Sequence, residues 1–144
     1  MRILAVDPGS KNLGIALSDP TSTIANPLTV LKHISRPANA AAILERAESH
    51  GAQVIVIGQS LDQHGKPTFE GRRAARLAAE IQSLSDIQVV LWDESFSTVE
   101  AQQARLALGS PRRKRQGHLD DLAATVILQS FLDANKGHQK ASDD

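Results

Sequence analysis

Acidic side chains recur at the ends of predicted secondary-structure elements, and this is the pattern with the clearest chemical potential in the sequence. Asp7 closes the first apolar run, Asp93 and Glu94 close the last one, and Asp120 and Asp121 open the final predicted helix. In open α/β sheets, active sites collect beyond the carboxyl ends of the strands. Each acid alone is also an ordinary turn or helix-start residue. Together, the three element ends predict one acid-lined site.

The predicted acid cluster suits a divalent cation. Carboxylates held close together repel one another, and burial raises their pKa values. A bound cation relieves both effects, and hard oxygen ligands of this kind suit Mg²⁺ or Mn²⁺. Such an ion can activate water and stabilise the charge that develops in phosphodiester cleavage. The chain has no cysteine and its five histidines are scattered, so nothing in the pattern indicates zinc.

The elements that must position these acids alternate in the manner of an α/β layer fold. The predicted strands cover residues 2–6, 14–18, 27–33, 54–57 and 88–92, and the predicted helices cover 35–50, 70–84, 97–109 and 119–136. The short spacing between the first two strands indicates a hairpin. The third strand contains Pro27 and is expected at an edge, whereas the fourth and fifth are apolar and expected to be buried.

This order predicts a mixed sheet flanked by helices. We expect one domain over residues 1–136 and a disordered polar tail over 137–144.

Helix geometry favours Asp120 over Asp121 as a site residue. At about 100° per residue, the apolar face of the last helix is predicted to centre near Leu122, Ala123 and Val126. Asp120 then lies roughly 80° from that centre, while Asp121 points almost the opposite way.

The charges balance, with 16 basic and 16 acidic residues in a chain of 144. A net charge of zero argues against a protein coated in positive charge but leaves a local basic patch open. Residues 105–118 carry five cations and no acid, namely Arg105, Arg112, Arg113, Lys114 and Arg115. This run is either a solvated loop or a contact for nucleic acid. No apolar stretch approaches the roughly 20 residues that span a membrane, and the absence of cysteine fits a cytoplasmic protein.

Four groups of residues, in order along the chain, carry a resemblance to a known family. They are Asp7-Pro8-Gly9-Ser10-Lys11 with Gly14-Ile15-Ala16 and Ser18-Asp19; Ile24-Ala25-Asn26-Pro27-Leu28; Asp93-Glu94 with Ser97-Thr98-Val99-Glu100-Ala101; and Asp120 with Ala123-Ala124 and Ile127-Leu128-Gln129. Over residues 1 to about 133 the chain closely resembles the YqgF family, also called RuvX-like or Holliday-junction-resolvase-like. The resemblance implies an RNase H-like fold, a bacterial cytoplasmic protein and a nuclease that matures the 5′ end of pre-16S ribosomal RNA. An alternative role is Holliday-junction resolution.

The resemblance also implies roles for individual residues. Asp7, the Asp93-Glu94 pair and Asp120 would be the metal-binding catalytic acids. Asp93 and Glu94 stay as alternatives, because neighbouring residues of a continuing strand point to opposite faces. Lys11, Ser97 and Thr98 would contact phosphate or support the metal ligands. The basic run would bind the nucleic-acid backbone through Arg112, Arg113, Lys114 and Arg115.

Two positions depart from the pattern of this family. Asn12 stands where the family usually has arginine, and Gln59-Ser60 stands where it usually has an apolar residue and then proline. Both departures leave the acids intact and affect expected substrate contacts.

Three functional hypotheses remain at this stage. The first is a metal-dependent nuclease, the second a non-catalytic nucleic-acid-binding factor in ribosome assembly, and the third an ATP-hydrolysing relative. The third needs a duplicated domain, for which the chain is too short. Low aromatic content, 3%, predicts contacts mainly to phosphates. The sequence leaves open a monomer or a homodimer.

Overall fold

The structure, a computed structural model, describes residues 1–96 and 119–143, without the side chains of residues 96, 119–121 and 137–143. Five strands are present in this part of the chain: β1 (Arg2–Pro8), β2 (Asn12–Ser18), β3 (Ala25–Lys32), β4 (Ala52–Gln59) and β5 (Gln88–Asp93). The helices are α1 (Arg36–Ser49), α2 (Phe69–Leu84) and α3 (Leu119–Asp143), and a short 3-10 helix, Glu94–Phe96, follows β5.

The five strands form one mixed sheet in the order β3-β2-β1-β4-β5. Strand β1 pairs antiparallel with β2 and parallel with β4, while β2–β3 is antiparallel and β4–β5 is parallel. The predicted α/β fold with a five-stranded mixed sheet is therefore confirmed, as is the hairpin of its first two strands. The parallel β1 and β4 lie at the centre, so their carboxyl ends meet at one edge of the sheet.

Side chains alternate along the central strands and build a separate apolar core on each face. Leu4 and Val6 of β1 point to the face covered by α1 and α2, called here the α1/α2 face. Ile3 and Ala5 point to the opposite face, covered by α3 and called here the α3 face. Along β4, Ile55 and Ile57 point to the α1/α2 face, whereas Val54 and Val56 point to the α3 face. The face to which a strand residue points therefore follows from its position.

Both helices on the α1/α2 face begin at a hydroxyl cap. The Ser35 hydroxyl accepts a hydrogen bond from the Ala38 N–H at 3.2 Å, which caps the start of α1. The Thr68 hydroxyl accepts one from the Gly71 N–H at 3.1 Å, which begins α2 at Phe69. Edge strand β3 contains Pro27, as expected.

Strand β5 differs from the expectation of a buried strand. It pairs only with β4 among the described strands, so it is an edge strand, and its residues are half-buried or exposed. The apolar run arises because Val89 packs on one face and Val90 and Trp92 on the other. Trp92 is fixed on the α3 face, where its Nε1 donates to the Ser130 hydroxyl at 2.8 Å.

The apolar face predicted for the last helix is only partly right, since of the three residues expected at its centre Val126 alone is buried. The residues of α3 that pack in the core of the α3 face include Ala124, Ile127 and Leu128, whereas Leu122 and Ala123 are only partly buried. The choice between Asp120 and Asp121 therefore depends on the observed face.

Two boundary expectations for the carboxyl-terminal half have different outcomes. Helix α3 extends to Asp143, beyond the predicted end at residue 136. The expected disorder of residues 137–144 in solution stays a prediction, which amide hydrogen exchange would test. The helix predicted over residues 97–109 lies outside the described residues.

Candidate active site

Asp7 lies within β1, one residue before the strand ends. It pairs with Gly14 of β2, so the backbone at this position is held by the sheet. By the alternation of β1, Asp7 points to the same face as Ile3 and Ala5, the α3 face. The Asp7 side chain is partly buried, and the residue interacts with another group of the protein. A carboxylate is thus positioned by the central strand at the edge where a site is expected.

A tight turn follows Asp7 and carries Lys11. The Gly9 N–H donates to the carbonyl oxygen of Asn12 at 3.0 Å. A Cβ atom on Gly9 would lie 2.5 Å from that oxygen, so this position requires glycine. Lys11 is exposed at the turn, and its carbonyl accepts the His33 N–H at 2.9 Å. The turn therefore places one exposed ammonium group next to the strand end that carries the acid.

The structure separates Asp93 from Glu94. Strand β5 ends at Asp93, and Glu94 begins the short 3-10 helix. A Cβ atom on Gly58 would lie 3.3 Å from Cγ and Oε1 of Glu94, on the side where Ile127 of α3 packs. The Glu94 side chain is therefore on the α3 face, to which Asp7 also points. Asp93 instead accepts a hydrogen bond from the Ser95 N–H at 2.9 Å and stabilises the turn after β5. Of the two alternatives, Glu94 is the acid on the face of Asp7.

Gly58 of β4 leaves room for Glu94 at the edge of the sheet. It pairs with Trp92 and lies in the strand between those of Asp7 and Glu94. A Cβ atom here would lie 2.7 Å from Cδ1 of Ile127 and 3.3 Å from both Cγ and Oε1 of Glu94. Gly58 is not among the site residues predicted from the sequence. A glycine directly after a β-branched run was the signal of a close approach by another group.

The pKa of Glu94 is raised, mainly because the carboxyl group is partly buried. The negative charges of Asp93 and Glu70 raise it further. All three effects disfavour the ionised carboxylate. A cation beside Glu94 would act in the opposite sense, so the local electrostatics fit a cation-binding site.

Position 120 lies in the first turn of α3, on the stripe that faces Gly58. At about 100° per residue, it is within roughly 40° of Ala124 and 20° of Ile127, and Ile127 is the residue that approaches Gly58. Asp121 is roughly 120° from Ile127. Asp120 thus remains the better candidate, for a different reason from the one given by the sequence, although its side chain lies outside the described part of the structure.

The donor set fits a hard divalent cation. Asp7 and Glu94 offer carboxylate oxygens on one face, as Mg²⁺ and Mn²⁺ prefer. Among the side chains that the structure describes, no three histidine, aspartate or glutamate residues form a group able to hold a metal. A third ligand would have to come from elsewhere, and Asp120 is the candidate by position. Ser97, Thr98 and the basic run 112–115 lie outside the described residues, so their predicted roles stay predictions.

One protein family and several named relatives match nearly the whole length of the sequence. The RuvX family, described as Holliday junction resolvase, matches residues 1–134. A protein of Syntrophus aciditrophicus named "Putative pre-16S rRNA nuclease" is 36% identical over 143 residues, covering 99% of this chain and 95% of the relative. A protein of the same name from Caldanaerobacter subterraneus is 34% identical over 137 residues, covering 94% and 99%.

Solved structures with the same fold include two junction resolvases. T. thermophilus RuvC in complex with Holliday junction substrate has a TM-score of 0.66 at 16% identity, covering 95% of this chain and 96% of that protein. The Fowlpox virus resolvase, in complex with Holliday junction DNA, has a TM-score of 0.60 at 16% identity, covering 93% and 98%. At these identities the likeness concerns the fold alone.

The family match and the curated nuclease relatives identify the class of this RNase H-like protein as a phosphodiester-cleaving hydrolase, a nuclease. Within that class the chain belongs to the RuvX family, whose model covers nearly its whole length. None of the described helices is both long and apolar enough to cross a membrane.

Proposed function

We propose that this protein is a divalent-metal-dependent endonuclease that acts in the cytoplasm on the 5′ end of pre-16S ribosomal RNA. The observation that carries the proposal is the placement of Asp7 and Glu94 on one face of the sheet, with Gly58 between their strands. The substrate is inferred from relatives at 34–36% identity that bear that name.

Asp7, Glu94 and Asp120 would hold the cation through carboxylate oxygens. When bound, a divalent cation lowers the pKa of a coordinated water and stabilises negative charge on the phosphodiester. The chain's own contribution is to fix the direction of the acids: β1 is paired on both sides, and α3 packs over the same edge. The end of β1, which carries Asp7, is therefore held in place when a charged substrate approaches.

Exposed cations would position the phosphodiester. Lys11 is exposed at the turn after β1, next to Asp7. Ser97, Thr98 and the cations of 112–115 are proposed to contact phosphate as well, on the resemblance alone. Asn12 begins β2 and pairs with Lys32, so the arginine usual in the family is replaced here by a residue held in the hairpin.

A four-way DNA junction is the second candidate substrate. The observation in its favour is that the RuvX family is described as Holliday junction resolvase. Cutting a symmetric junction needs two sites related by symmetry, so this role would require a homodimer, whereas trimming of RNA can be carried out by a monomer.

The test is cleavage of labelled pre-16S ribosomal RNA and of a four-way DNA junction, side by side, with Mg²⁺ or Mn²⁺. We expect metal-dependent cutting of the RNA that is lost in Asp7→Asn and in Glu94→Gln but kept in Asp93→Asn. Cutting of the junction alone would replace the proposed substrate. Binding of RNA without any cutting would identify a non-catalytic assembly factor instead.

A further inference from the structure

A cavity of about 330 Å³ opens on the α1/α2 face, on the other side of the sheet from the acids. Its wall includes Pro8 and Gly9, the two residues that follow Asp7. Consecutive Cα atoms are about 3.8 Å apart, and neighbouring strand residues point to opposite faces. The end of β1 therefore separates the acid site from this cavity by the width of a single strand.

Among the residues that the structure describes, three arginines and no carboxylate line the cavity. Arg36 is the first residue of α1, and Arg73 and Arg76 are one turn apart on α2. Arg73 is held by Glu70, with Nη1 3.2 Å from Oε2. Arg36 and Arg76 form no ion pair with any residue in the described part of the chain. Three guanidinium groups around one opening, two of them without a counter-charge among the described residues, favour the binding of an anion.

His33 adds an imidazole ring to the same wall. The buried Asn39 accepts the Ile34 N–H through Oδ1 at 3.1 Å, which identifies Nδ2 as its amide donor. That Nδ2 lies 2.9 Å from His33 Nδ1, so Nδ1 accepts and the ring proton is on Nε2. The histidine ring is thus oriented by a buried side chain, and its Nε2 N–H has no partner within the described residues and can donate to a ligand.

Phe69 gives the cavity an aromatic wall. It is the first residue of α2 and remains 62% exposed, although it is one of only three phenylalanines in the chain. An exposed aromatic ring beside cations is the combination that binds nucleotides, because the ring stacks on a base and the cations bind the phosphate. The volume lies at the lower end of the range for small-ligand pockets.

We infer that this cavity binds one unpaired nucleotide of the nucleic-acid strand, with the phosphate on Arg36 and Arg76 and the base on Phe69. The inference rests on the proposed function in one respect: the nucleotide in the cavity belongs to the same nucleic-acid strand that the acids would cleave. If a nucleic-acid strand crosses the turn after β1, one of its phosphodiesters lies at the acid site and a neighbouring nucleotide lies at the arginine-lined cavity.

Binding can be measured without cleavage, on the full chain carrying Asp7→Asn and without metal. The probe is a short fluorescein-labelled single-stranded RNA, followed by anisotropy between about 50 and 200 mM salt. We expect Arg36→Gln/Arg76→Gln to weaken binding and to reduce the slope of log affinity against log salt by about 0.7 for each phosphate that the protein no longer neutralises.

The matched control is Arg2→Gln/Arg46→Gln, which removes the same charge elsewhere. Arg2 is about 20 Å along β1 from Pro8, and Arg46 is about 15 Å along α1 from Arg36. An equal loss of affinity in the control and in Arg36→Gln/Arg76→Gln would overturn the inference, since only net charge would then matter.

Phe69→Leu tests the stacking contact while keeping an apolar residue. We expect about a tenfold loss of affinity for the single strand with an unchanged thermal midpoint. Unchanged affinity would overturn the assignment of the base to this wall.

Two further outcomes separate the sources of the ligand and the two proposals. Adenosine monophosphate that binds the wild type but not Arg36→Gln/Arg76→Gln, while RNA binding is unaffected, would show a free-nucleotide site and overturn the strand assignment. Pocket-dependent RNA binding in a protein that never cuts would leave this inference standing and defeat the proposed function. Metal-dependent cutting by a protein whose RNA affinity is unchanged in Arg36→Gln/Arg76→Gln would support the proposed function and overturn this inference.

Discussion

Burial and the negative charges of two neighbouring acids all raise the pKa of the Glu94 carboxyl group. A group whose folded-state pKa is raised stabilises the fold fully below its unfolded pKa, about 4.3, and that stability is lost as pH rises through the folded value. We therefore predict that, without metal, Glu94→Gln has a higher thermal midpoint than the wild type at pH 7 and about the same midpoint near pH 4.

Two controls accompany this prediction. Glu48→Gln, on the exposed side of α1, should show no such pH-dependent gain. Added Mn²⁺ should raise the midpoint of the wild type more than that of Glu94→Gln, because a ligand stabilises only the form that binds it. A wild-type midpoint that does not fall relative to Glu94→Gln between pH 4 and pH 7 would contradict the prediction.

Gly58 gives a steric prediction at the same scale. In Gly58→Ala the new methyl group meets Ile127 Cδ1 and Glu94, so we expect a loss of about 1–3 kcal/mol in stability. Displacement of Glu94 should lower the cleavage rate by up to roughly a hundredfold. Urea denaturation and single-turnover cleavage measure the two effects.

Ile127→Val removes the nearer of the two clashing groups and supplies the control. The double variant Gly58→Ala/Ile127→Val should recover stability but not the full rate, because the contact with Glu94 remains. Complete recovery of the rate would show that Glu94 does not need this space.

The sequence could predict an acid-lined site but could not choose between Asp93 and Glu94. Asp93 and Glu94 are adjacent, and the choice depends on which face of β5 packs against α3, a tertiary fact. For Asp120 the sequence selected the same residue from a helix face that is only partly right, since Leu122 and Ala123 are less buried than Ala124 and Leu128. Periodicity alone does not show which of several apolar stripes packs on the sheet.

At the scale of elements, one buried side chain holds α3 to the edge strand. Gln129 Oε1 accepts the Ala25 N–H at 2.9 Å, and its Nε2 donates to the Thr23 carbonyl at 3.0 Å. We predict that Gln129→Met lowers the free energy of unfolding by about 1–3 kcal/mol, because a buried N–H loses its acceptor.

The matched control for that variant is Gln82→Met on the exposed side of α2. Urea denaturation of both variants measures the difference, and equal midpoints would show that the contact between α3 and β3 is immaterial to stability. The partner of Gln129, over a hundred residues away in the chain, is set by the packing of the helix and has no local sequence signal.

The loop between β2 and β3 should respond to acid. The pKa of Asp19 is well below its usual range because its carboxylate accepts hydrogen bonds from the N–H groups of Ile24, Thr21 and Thr23 and from the Thr21 hydroxyl. A lowered folded-state pKa contributes stability above the unfolded value, about 3.9, that is lost as pH falls toward the folded one.

We therefore predict that Asp19→Ala has a lower thermal midpoint than the wild type at pH 7, and that the difference narrows as pH falls below about 3.9. Asp86→Ala, at an exposed position, is the control. A difference for Asp19→Ala that stays constant down to the lowest accessible pH would refute the linkage.

At the scale of the whole molecule, zero net charge coexists with a local cluster of guanidinium groups. We predict that affinity for nucleic acid falls steeply between about 50 and 200 mM salt, because cations on the protein release counterions from the phosphates. Anisotropy titrations with single-stranded RNA measure this. An affinity that does not change with salt would exclude phosphate contacts as its main source.

Most of the fold was readable from the sequence, and most of the arginine cavity was not. Apolar runs, the short spacing between the first two strands and Pro27 predicted the elements because those signals are local. Arg36 and Arg76 lie on different helices, and only the packing of α1 beside α2 brings them to one opening. The edge position of β5 likewise depends on which strands pair, which its apolar composition does not encode.

The alternation at the end of β1 restricts how this chain can change over evolutionary time. Inserting or deleting one residue between Arg2 and Asp7 would exchange the two sides of the sheet, placing the acid among the arginines and a proline among the acids. Substitutions along the strand can accumulate while its register is preserved. We therefore expect single-residue insertions and deletions among homologues to fall in the loops between β2 and β3 and between β4 and α2, and never within β1.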